Sequence, residues 1–493
     1  MFLTRRKWLV WSTVTFLSAL LIIILKPRFF PSSNPRSELN LEQRIEITWK
    51  IARYKLTNTI DYLSHRVEPG VRYPYLTYNR TFNDFWYDVF HKHDRLPQGA
   101  WKYDKGKFWA AGALPALLWK MSVHESDPVM KKYWADQAKN WSEPLRKLVS
   151  KKQDITLNNL LVFAPWFTNT TGAEKQQQLE TIFQGSRLLA EPFNQRKGKF
   201  HLEIGTLGYT LKSKRKKLIY WHSFIDHSIN VEQLLWSANY NPNKLEADDW
   251  RNKAIIHLKT LGKTLGKNRN PGVDGTWQRG YFDDNPTSST YGQFLFNEGK
   301  QGWKDDSTWS RGQAWFIYAS SITYQYTQDL EVLAIAKEAI NYFLSHLPDR
   351  FPGTLRRPND YIPPWDFDYA LEKNPDTEKD SSAAAIAVSG VLKLLKFLPH
   401  SDPDWERYWQ DVKNILFNLT SSEYLPDLGV PQMSLLSHGC YHHFDAIKSS
   451  KDYDNGLIWG DYFLIDSLIE YETINHSLIT LPIPKQQNQE NEV

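Results

Sequence analysis

The segment 305–315 combines residue types that are suited to binding an acidic sugar. It contains neighbouring carboxylates at Asp305 and Asp306, the guanidinium of Arg311, and the indoles of Trp309 and Trp315. An indole covers the apolar C–H face of a pyranose ring, and the planar guanidinium pairs with a carboxylate through two hydrogen bonds. The segment therefore favours a uronic acid over a neutral hexose. The alternative is a buried helix with a few capping charges, since tryptophan is highly buried on average.

A second candidate for chemistry is Asp226, which lies just before a stretch with the apolar periodicity of a helix. Asn230 follows one helical turn later and is expected on the same face. Because aspartate is a favoured N-cap residue, the alternative role of Asp226 is to cap this helix, a role that Ser223 is also able to fill.

The sequence gives little support for a metal site or a cofactor site. The cluster of His438, Cys440, His442 and His443 lacks the paired spacing of structural zinc motifs. The sequence contains no Gly-x-Ser-x-Gly elbow, phosphate-binding loop or dinucleotide fingerprint. We therefore expect neither a metal nor a cofactor.

These candidates must be positioned by helices. Apolar residues recur at steps of three and four from Leu41 to Leu63, which predicts an amphipathic helix. Comparable stretches lie near 128–149, 174–190, 226–240, 246–266, 308–327, 329–346, 380–398, 403–419 and 456–474. Segments 267–306 and 348–379 are predicted to be long loops, and 208–219 is predicted to be a basic hairpin or loop. The pattern indicates a large all-α protein, for which a helical solenoid and a helical barrel are both open.

Composition supports one large globular domain. The chain has 493 residues, of which 14% are aromatic, and no Pro/Gly-rich break divides its middle. That aromatic content suits a deep core and a carbohydrate cleft, and it excludes a disordered chain or a nucleic-acid-binding tail. The net charge of +5 is compatible with an acidic glycan but does not identify one.

The N-terminus has the features of a membrane-targeting segment. Arg5, Arg6 and Lys7 precede an uncharged, largely apolar run over residues 8–25. We expect residues 1–25 to form a basic cytoplasmic end and an uncleaved single-pass anchor, with the remaining chain extracellular, periplasmic or luminal. A cleaved signal peptide is the alternative. Residues 26–36 are predicted to be a proline-rich stalk, 37–480 the folded domain, and 481–493 a polar tail.

Six segments of the chain match, in order, the motifs of a known enzyme family. Together they resemble the unsaturated glucuronyl hydrolases of glycoside hydrolase family 88. The segments are 108–115, 225–238, 301–303, 305–315, 380–387 and 457–462.

The resemblance implies an (α/α)6 barrel, a six-hairpin toroid, and a specific reaction. The family's substrate is an uronic acid with a C4=C5 double bond, left at a glycan end by a polysaccharide lyase. The family aspartate that matches Asp226 is the general acid and base. It protonates C4, the same carboxylate deprotonates the water that adds at C5, and the resulting hemiketal opens to expel the remaining sugar.

The chain departs from the family at three positions. Asn159, in the segment 158–162, replaces a second aspartate that sets the ionisation of the first, although Asp154 would substitute if the segment shifted by one helical turn. Arg279 and Lys300 replace two histidines, so fixed positive charge replaces titratable imidazoles. Such a pocket favours a more anionic ligand, such as an intact or sulfated uronate. The alternative is evolutionary drift in a pocket that is no longer under catalytic demand. The family positions implied to bind the sugar are Trp109, Arg279, Lys300, Gln301, Trp309, Arg311 and Trp315.

The resulting expectation is a membrane-anchored glycoside hydrolase that acts on the uronic-acid end of an acidic oligosaccharide or polysaccharide fragment. Two alternatives remain. The first is a hydrolase of intact uronosides, which requires a second carboxylate near Asp226. The second is a carbohydrate-binding protein that keeps the scaffold without catalysis. No nucleic-acid partner is expected, and the sequence does not define the oligomeric state.

Overall fold

The computed structural model describes most of the region predicted to fold. The described residues are 36–67, 69, 71–78, 97–106, 108–149, 155–191, 193–197, 203–206, 209–212, 219–266, 275–443 and 452–480. The predicted anchor (1–25), nearly all of the stalk and the polar tail (481–493) lie outside them. Within the described ranges, no helix is long and apolar enough to cross a membrane.

Helices dominate the structure. In chain order, the α-helices of the described residues are α1 (Leu41–Ser64), α2 (Ala113–His124), α3 (Pro128–Arg146), α4 (Ile155–Asn158), α5 (Leu160–Thr168), α6 (Gly172–Ala190), α7 (Asn230–Tyr240), α8 (Lys244–Leu261), α9 (Ser310–Thr327), α10 (Leu330–Ser345), α11 (Phe367–Glu372), α12 (Ser381–Leu395), α13 (Trp405–Leu419) and α14 (Ile458–Thr480).

The long helices are arranged as an inner ring wrapped by an outer ring. Consecutive helices pack as hairpins, in which α2, α5, α7, α9 and α12 are followed by α3, α6, α8, α10 and α13. The inner helices also contact one another: α9 packs between α7 and α12, and α14 packs between α12 and α2. The sixth pair consists of α14 and α1, the two ends of the domain. The two helices are joined by a hydrogen bond of 3.0 Å that Trp49 Nε1 in α1 donates to Glu472 Oε1 in α14. The arrangement is that of an (α/α)6 toroid.

Inner and outer helices differ in sequence because they differ in surroundings. Every residue of α12, from Ser381 to Leu395, is buried, whereas α13 buries only one face. A helix enclosed on all sides carries small and apolar residues around its circumference, and a helix on the rim carries an apolar stripe. Gly112 shows how tightly the inner ring packs. A Cβ atom at Gly112 would lie 2.1 Å from the carbonyl oxygen of Leu157, so only glycine fits there.

Short strands, paired antiparallel, lie between some of the helices in the sequence. They are β1 (Arg72–Thr77), β2 (Trp101–Lys105), β3 (Asn194–Lys197), β4 (Glu203–Thr206), β5 (Tyr209–Lys212), β6 (Ile219–Phe224), β7 (Arg279–Asp283), β8 (Phe294–Glu298), β9 (Gly439–His442) and β10 (Asp452–Asn455). The largest sheet has the order β5-β6-β7-β8. Pairing of β5 with β6 agrees with the hairpin predicted over 208–219.

The prediction of a loop over 267–306 was wrong for part of that segment, since it contains β7 and β8. Its apolar runs are short and lie among Gly, Pro, Asn and Ser residues, so they resemble loop sequence. The two strands extend the sheet that ends beside Asp226, because the backbone N–H of Ile225 donates to the carbonyl of Gln278 at 2.9 Å.

Candidate functional site

A cavity of about 320 Å³ opens at the end of the ring where the inner helices begin. It receives side chains from the segments before α2, α7 and α9, from α4, α7 and α9, and from β6, β7 and β9. The lining residues are Trp109, Thr156, Leu157, Phe224, Asp226, His227, Ile229, Asn230, Arg279, Gln301, Arg311, Trp315 and Tyr441.

Asp226 lies in the wall of this cavity and is partly exposed. It belongs to a 3-10 turn, Ile225–Ile229, that links the end of β6 directly to α7. The N-cap position of this turn is Phe224, so Asp226 lies inside the first turn and is not the N-cap residue. Asn230 lines the same cavity, as its predicted position one helical turn later requires.

Aromatic side chains form a second part of the wall. Trp109 is partly exposed and lines the cavity together with Trp315 and Tyr441. The Trp109 and Trp315 rings meet edge to face, with centroids 6.4 Å apart, and Trp109 Nε1 donates to the Tyr441 hydroxyl at 3.4 Å. Trp459 packs behind Trp109 at 4.7 Å and is fully buried. Trp109 is thus a rigidly supported apolar surface of the kind that stacks on a sugar ring.

Arg311 also reaches the cavity, but its hydrogen bonds are made within the protein. Nη1 donates to Asp380 Oδ2 at 2.8 Å and to the Cys440 carbonyl, and Nη2 donates to Gln301 Oε1 at 3.1 Å and to the Tyr441 carbonyl at 2.8 Å. Its side chain is only 1% exposed. The four bonds occupy both terminal nitrogens, so Arg311 positions Gln301 and Tyr441 in the wall. The predicted pairing with a ligand carboxylate would require some of these bonds to break.

Asp380 links two segments that are distant in the sequence, 305–315 and 380–387. Its Oδ1 accepts hydrogen bonds from the backbone N–H groups of Ser382 and Ala383, so it caps α12. Its other oxygen, Oδ2, pairs with Arg311. The segments 305–315 and 380–387 therefore meet in one buried ion pair behind the cavity. Trp309 belongs to the same support: it is buried, does not line the cavity, and lies under the guanidinium of Arg311 at 4.5 Å.

Gln301 lines the cavity and Lys300 does not. The backbone N–H groups of both residues donate to Gln278 Oε1 at 2.6 Å, which fixes this loop to the start of β7. Lys300 is exposed. It nevertheless lies near enough to contribute to the electrostatics of the sheet, as the pKa of His222 shows. Burial, followed by the charges of Arg279, His227 and Lys300, lowers the pKa of His222 to about 3.

Arg279 is the second guanidinium of the cavity wall. It lies on β7 with its Cζ 4.5 Å from the centre of the Phe224 ring, and Nη1 donates to Glu298 Oε2 at 3.4 Å. Its Nε is buried without a hydrogen-bond partner in the described part of the chain. Unlike Arg311, Arg279 therefore keeps hydrogen-bonding capacity beside the cavity.

Asn159 lies outside the cavity, in the packing between hairpins. Its Nδ2 donates to the Thr181 carbonyl at 3.1 Å, and its Oδ1 accepts from Gln233 Nε2 at 2.9 Å. Asn158 is also structural, because its Oδ1 accepts from the backbone N–H of Gly112 at 2.7 Å. The residues of this segment that line the cavity are Thr156 and Leu157. Asp154 lies outside the described residues.

Asp226 is the one carboxylate among the residues that line the cavity in the described ranges. Those ranges also contain no group of three or more His, Cys, Asp or Glu side chains arranged to hold a metal. In the cluster 438–443, His438 pairs with Asp454 and His443 with Glu378. Burial raises the pKa of the Cys440 thiol well above its usual range, so Cys440 is a neutral thiol.

Some lining residues were not among the sequence candidates. His227 and Phe224 flank Asp226 within two positions, so proximity in sequence was a usable signal for both. Tyr441 gave no such signal. Arg311, 130 residues earlier, donates to the Tyr441 carbonyl and to the carbonyl of the preceding Cys440, which holds this backbone beside the cavity. Thr156 is brought in by Asn230, whose Oδ1 accepts from the Thr156 hydroxyl at 2.8 Å.

The double ring and its cavity define a helical toroid with one open end suited to a sugar, and the comparisons agree with this class. A solved unsaturated glucuronyl hydrolase specific for heparin superposes with a TM-score of 0.67 at 22% identity, covering 88% of this chain and 98% of its own. The enzyme from Streptococcus agalactiae gives a TM-score of 0.66 at 24% identity, with coverage of 88% and 92%. These likenesses establish the fold.

Sequence comparison leads to the same group of proteins. The unsaturated chondroitin disaccharide hydrolase of Streptococcus agalactiae serotype III (strain NEM316) is 29% identical over 293 residues, which are 59% of this chain and 64% of the relative. That of Streptococcus pyogenes serotype M1 is 36% identical over 172 residues, 35% and 39% of the two chains. The unsaturated glucuronyl hydrolase of Bacillus sp. (strain GL1) is 28% identical over 248 residues, 50% and 58%.

The matched segments span less than two thirds of the length of these relatives, and no family model matches the chain. The resemblance read from the motifs is nevertheless confirmed. The chain is a divergent relative of the unsaturated glucuronyl hydrolases.

Proposed function

We propose that this protein is a glycoside hydrolase that removes an unsaturated uronic acid from the end of an acidic glycan or glycosaminoglycan fragment. The observation that carries the proposal is that Asp226 lies in the cavity wall. Among the described residues, no second carboxylate lines the cavity. Its relatives are unsaturated chondroitin disaccharide and unsaturated glucuronyl hydrolases, which supports the same reaction class.

A vinyl ether explains why one carboxylate suffices. Asp226 donates a proton to C4 of the C4=C5 bond, and the positive charge that develops at C5 is shared with the ring oxygen. The carboxylate then removes a proton from water as the water adds at C5. The product is a hemiketal, which opens and releases the remaining sugar. Asp226 serves first as acid and then as base, so no second catalytic group is required.

The other lining residues give this reaction an oriented substrate. Trp109 and Trp315 offer apolar surfaces to the sugar ring, while Gln301 offers polar contacts. Arg311 holds Gln301 and the Tyr441 backbone in place through its own hydrogen bonds. Rigid placement of this kind is what brings a bound sugar to a single proton donor in a reactive geometry.

Hydrolysis of an intact uronoside fits the cavity less well. That reaction places an acid and a second carboxylate on opposite sides of the glycosidic bond, about 5–10 Å apart. The described lining provides Asp226 and no partner carboxylate. A pure binding protein would need only the aromatic and polar contacts, so activity itself separates it from the proposed enzyme.

Ultraviolet absorbance tests the proposal directly, because hydration removes the double bond of the substrate. Incubating the full chain with an unsaturated chondroitin disaccharide should cause a steady loss of absorbance, and Asp226→Asn should abolish that loss. A wild-type protein that binds the disaccharide without consuming it would overturn the hydrolase assignment in favour of a binding protein. Consumption of saturated uronosides alone would favour the second hydrolase.

We also propose that the N-terminal segment anchors the protein in a membrane with residues 37–480 on the non-cytoplasmic side. The support is the sequence pattern of Arg5, Arg6 and Lys7 before the apolar run over 8–25. Protease protection in sealed vesicles tests the orientation, and release by carbonate washing would contradict the anchor. A mature protein that begins after residue 25 would indicate a cleaved signal peptide instead.

A further inference from the structure

Arg279 and Glu298 face each other across neighbouring strands at the edge of the cavity. The two residues are register partners of β7 and β8, and their ion pair measures 3.4 Å. Arg279 also lines the cavity, whereas Glu298 does not. The pair therefore connects the cavity to the outer edge of the sheet.

The Arg279–Glu298 contact is weak by its geometry. A distance of 3.4 Å is long for a charge-assisted hydrogen bond, which is usually about 2.7–2.9 Å. Glu298 keeps 46% of its side chain exposed, and its Oε2 also accepts a closer bond from the Tyr281 hydroxyl at 2.5 Å. The Tyr281 hydroxyl and Arg279 Nη1 thus share one carboxylate oxygen of Glu298, and Arg279 forms no bidentate pair with it.

Arg279 retains capacity to bind another anion. Its side chain lines the cavity and keeps 14% of its surface exposed, whereas Nε is fully buried, so the terminal nitrogens are the donors that a ligand in the cavity could reach. The stacking of its guanidinium on Phe224, which also lines the cavity, fixes the plane in which an oxyanion would be received.

We propose that Arg279 is the residue that binds the anionic group of the substrate, and that Glu298 competes with the substrate for it. This inference rests on the proposed function, since it assumes that a glycan enters the cavity. The ligand chemistry is an oxyanion carried by a sugar. It comes either from the carboxylate of the terminal uronate or from a sulfate ester on the adjacent residue, and arginine recognises both through the same planar N–H donors.

Competition by Glu298 has a purpose in such a site. In the empty cavity it partly neutralises Arg279, whose charge would otherwise stand in a partly dehydrated wall. When a sugar oxyanion arrives, the half-exposed Glu298 carboxylate keeps its bond from the Tyr281 hydroxyl and gives up only the long contact to Arg279, while the anion gains the better-aligned donors. A neutral sugar gains nothing from displacing Glu298, so the pair raises selectivity for acidic sugars.

Titration calorimetry in an Asp226→Asn background tests this inference without turnover. The ligands are an unsaturated chondroitin disaccharide, its sulfated counterpart, and a neutral disaccharide of the same size. Arg279→Gln should weaken binding of the acidic sugars by about tenfold or more, as expected for loss of a charge-assisted contact, and leave the neutral sugar unchanged. Glu298→Gln should strengthen binding of the acidic sugars by about twofold to tenfold.

The pattern of losses identifies the source of the anion. Equal weakening for both acidic disaccharides assigns Arg279 to the uronate carboxylate, and weakening confined to the sulfated one assigns it to the sulfate. Unchanged binding in Arg279→Gln, or weaker binding in Glu298→Gln, would overturn the inference. Glu372→Gln is the matched control, because Glu372 is also half exposed and paired with a lysine, Lys304, away from the cavity.

Failure of this inference is distinguishable from failure of the proposed function. If the wild-type chain consumes no unsaturated disaccharide, the hydrolase assignment fails, yet the titrations still decide whether Arg279 binds an oxyanion. Retained helical circular dichroism in Arg279→Gln shows that a loss of affinity is not a loss of fold. Arg279→Lys adds a second variant: it keeps the charge but loses the planar fork, so it should restore only part of the affinity.

Discussion

Two polar regions share the interior of the inner ring, and they differ in how fully their charges are paired. One is the cavity, where Arg279 pairs at 3.4 Å with a half-exposed Glu298 that also accepts from the Tyr281 hydroxyl. The other is an ionic cluster between α2, α12 and α14, in which Lys120 pairs with Asp466 at 2.5 Å and Lys393 pairs with Asp466 at 3.1 Å and Glu470 at 2.9 Å.

The ionic cluster is closed on itself. Burial alone would raise the pKa of Asp466, but Lys120 and Lys393 hold it below its usual range, and Ser389 donates to it as well. Beside the cluster, burial raises the pKa of Glu232, whose Oε2 accepts from the Tyr318 hydroxyl at 2.9 Å. Charges arranged in this way join inner helices to one another and leave little capacity for a ligand. The comparison teaches that incomplete pairing, more than charge, marks the region that binds.

The largest expected effect comes from removing Asp226, and it should appear in turnover alone. Asp226→Asn takes away the proton donor while Trp109 and Trp315 continue to contact the sugar, so turnover should fall by roughly 10²–10⁴-fold with little change in affinity. Initial rates with an unsaturated disaccharide, combined with calorimetric binding, measure both. Asp306→Asn is the control and should leave the rate unchanged, because Asp306 belongs to the 305–315 segment but is exposed and does not line the cavity.

Breaking the ionic cluster should lower the free energy of unfolding and leave the substrate affinity unchanged. Asp466→Asn leaves Lys120 and Lys393 without their shared carboxylate in a buried setting, which we expect to cost about 3–5 kcal/mol of unfolding free energy. Urea denaturation measures the loss. Substrate affinity of the protein that remains folded should match wild type, and a large change in affinity would contradict the separation of the two regions. Asp136→Asn, which removes an exposed pair with Lys132, should change stability far less.

Asn159 offers a test between sequence and structure. The family resemblance predicts that Asn159→Asp raises turnover about tenfold by restoring a second carboxylate, since one pKa unit corresponds to about 1.4 kcal/mol. The structure predicts no gain, because the new carboxylate would face the Thr181 carbonyl and cost about 1–3 kcal/mol of stability. Leu157→Asp is the matched variant, since it adds a carboxylate to the cavity lining and should shift the pH profile of turnover.

The smallest effect is expected at the pair of Glu378, which is partly exposed, and His443, which is largely buried. The hydrogen bond from His443 lowers the pKa of Glu378 to about 2, against the opposing effect of burial. A depressed carboxyl pKa stabilises the fold above the unfolded value of about 4.3, and that contribution is lost as the pH falls toward 2. Because Glu378 keeps 37% exposure, the contribution should stay below about 1 kcal/mol. Glu378→Gln should therefore destabilise slightly at pH 6, by about half as much at pH 3, and not at all well below pH 2, as thermal unfolding would measure.

Sequence reasoning located most of the long helices. It missed two inner helices that have no polar face. The periodicity over 403–419 corresponds to α13, an outer helix with a clear stripe. The inner helices α2 and α5 were not predicted, because both are apolar around nearly their whole circumference and contain a proline, Pro115 or Pro165. The equally buried α12 contains no proline and was predicted, so the missing polar face and the internal proline together hid α2 and α5.

The same distinction holds for the site. Comparison with the family motifs predicted that Asp226, Trp109 and Arg279 belong to the site, and all three line the cavity. The sequence could not show that the terminal nitrogens of Arg311 are consumed by Asp380 and by carbonyls near Tyr441, since those partners are 69 to 130 residues away. Residue type indicates what a side chain is able to bind, and only its surroundings show whether it is already bound.

The order of the ring has a consequence for synthesis of the protein. α14 packs against both α12 and α2, so the inner helix that is translated after the other described helices is the one that closes the circle. Until it leaves the ribosome, the nascent chain is an open arc whose first and last inner helices expose apolar flanks, a state prone to aggregation. A stop codon before residue 458 would therefore deliver an unclosed arc to quality control, so truncated products of this chain should be degraded instead of accumulating in partly active form.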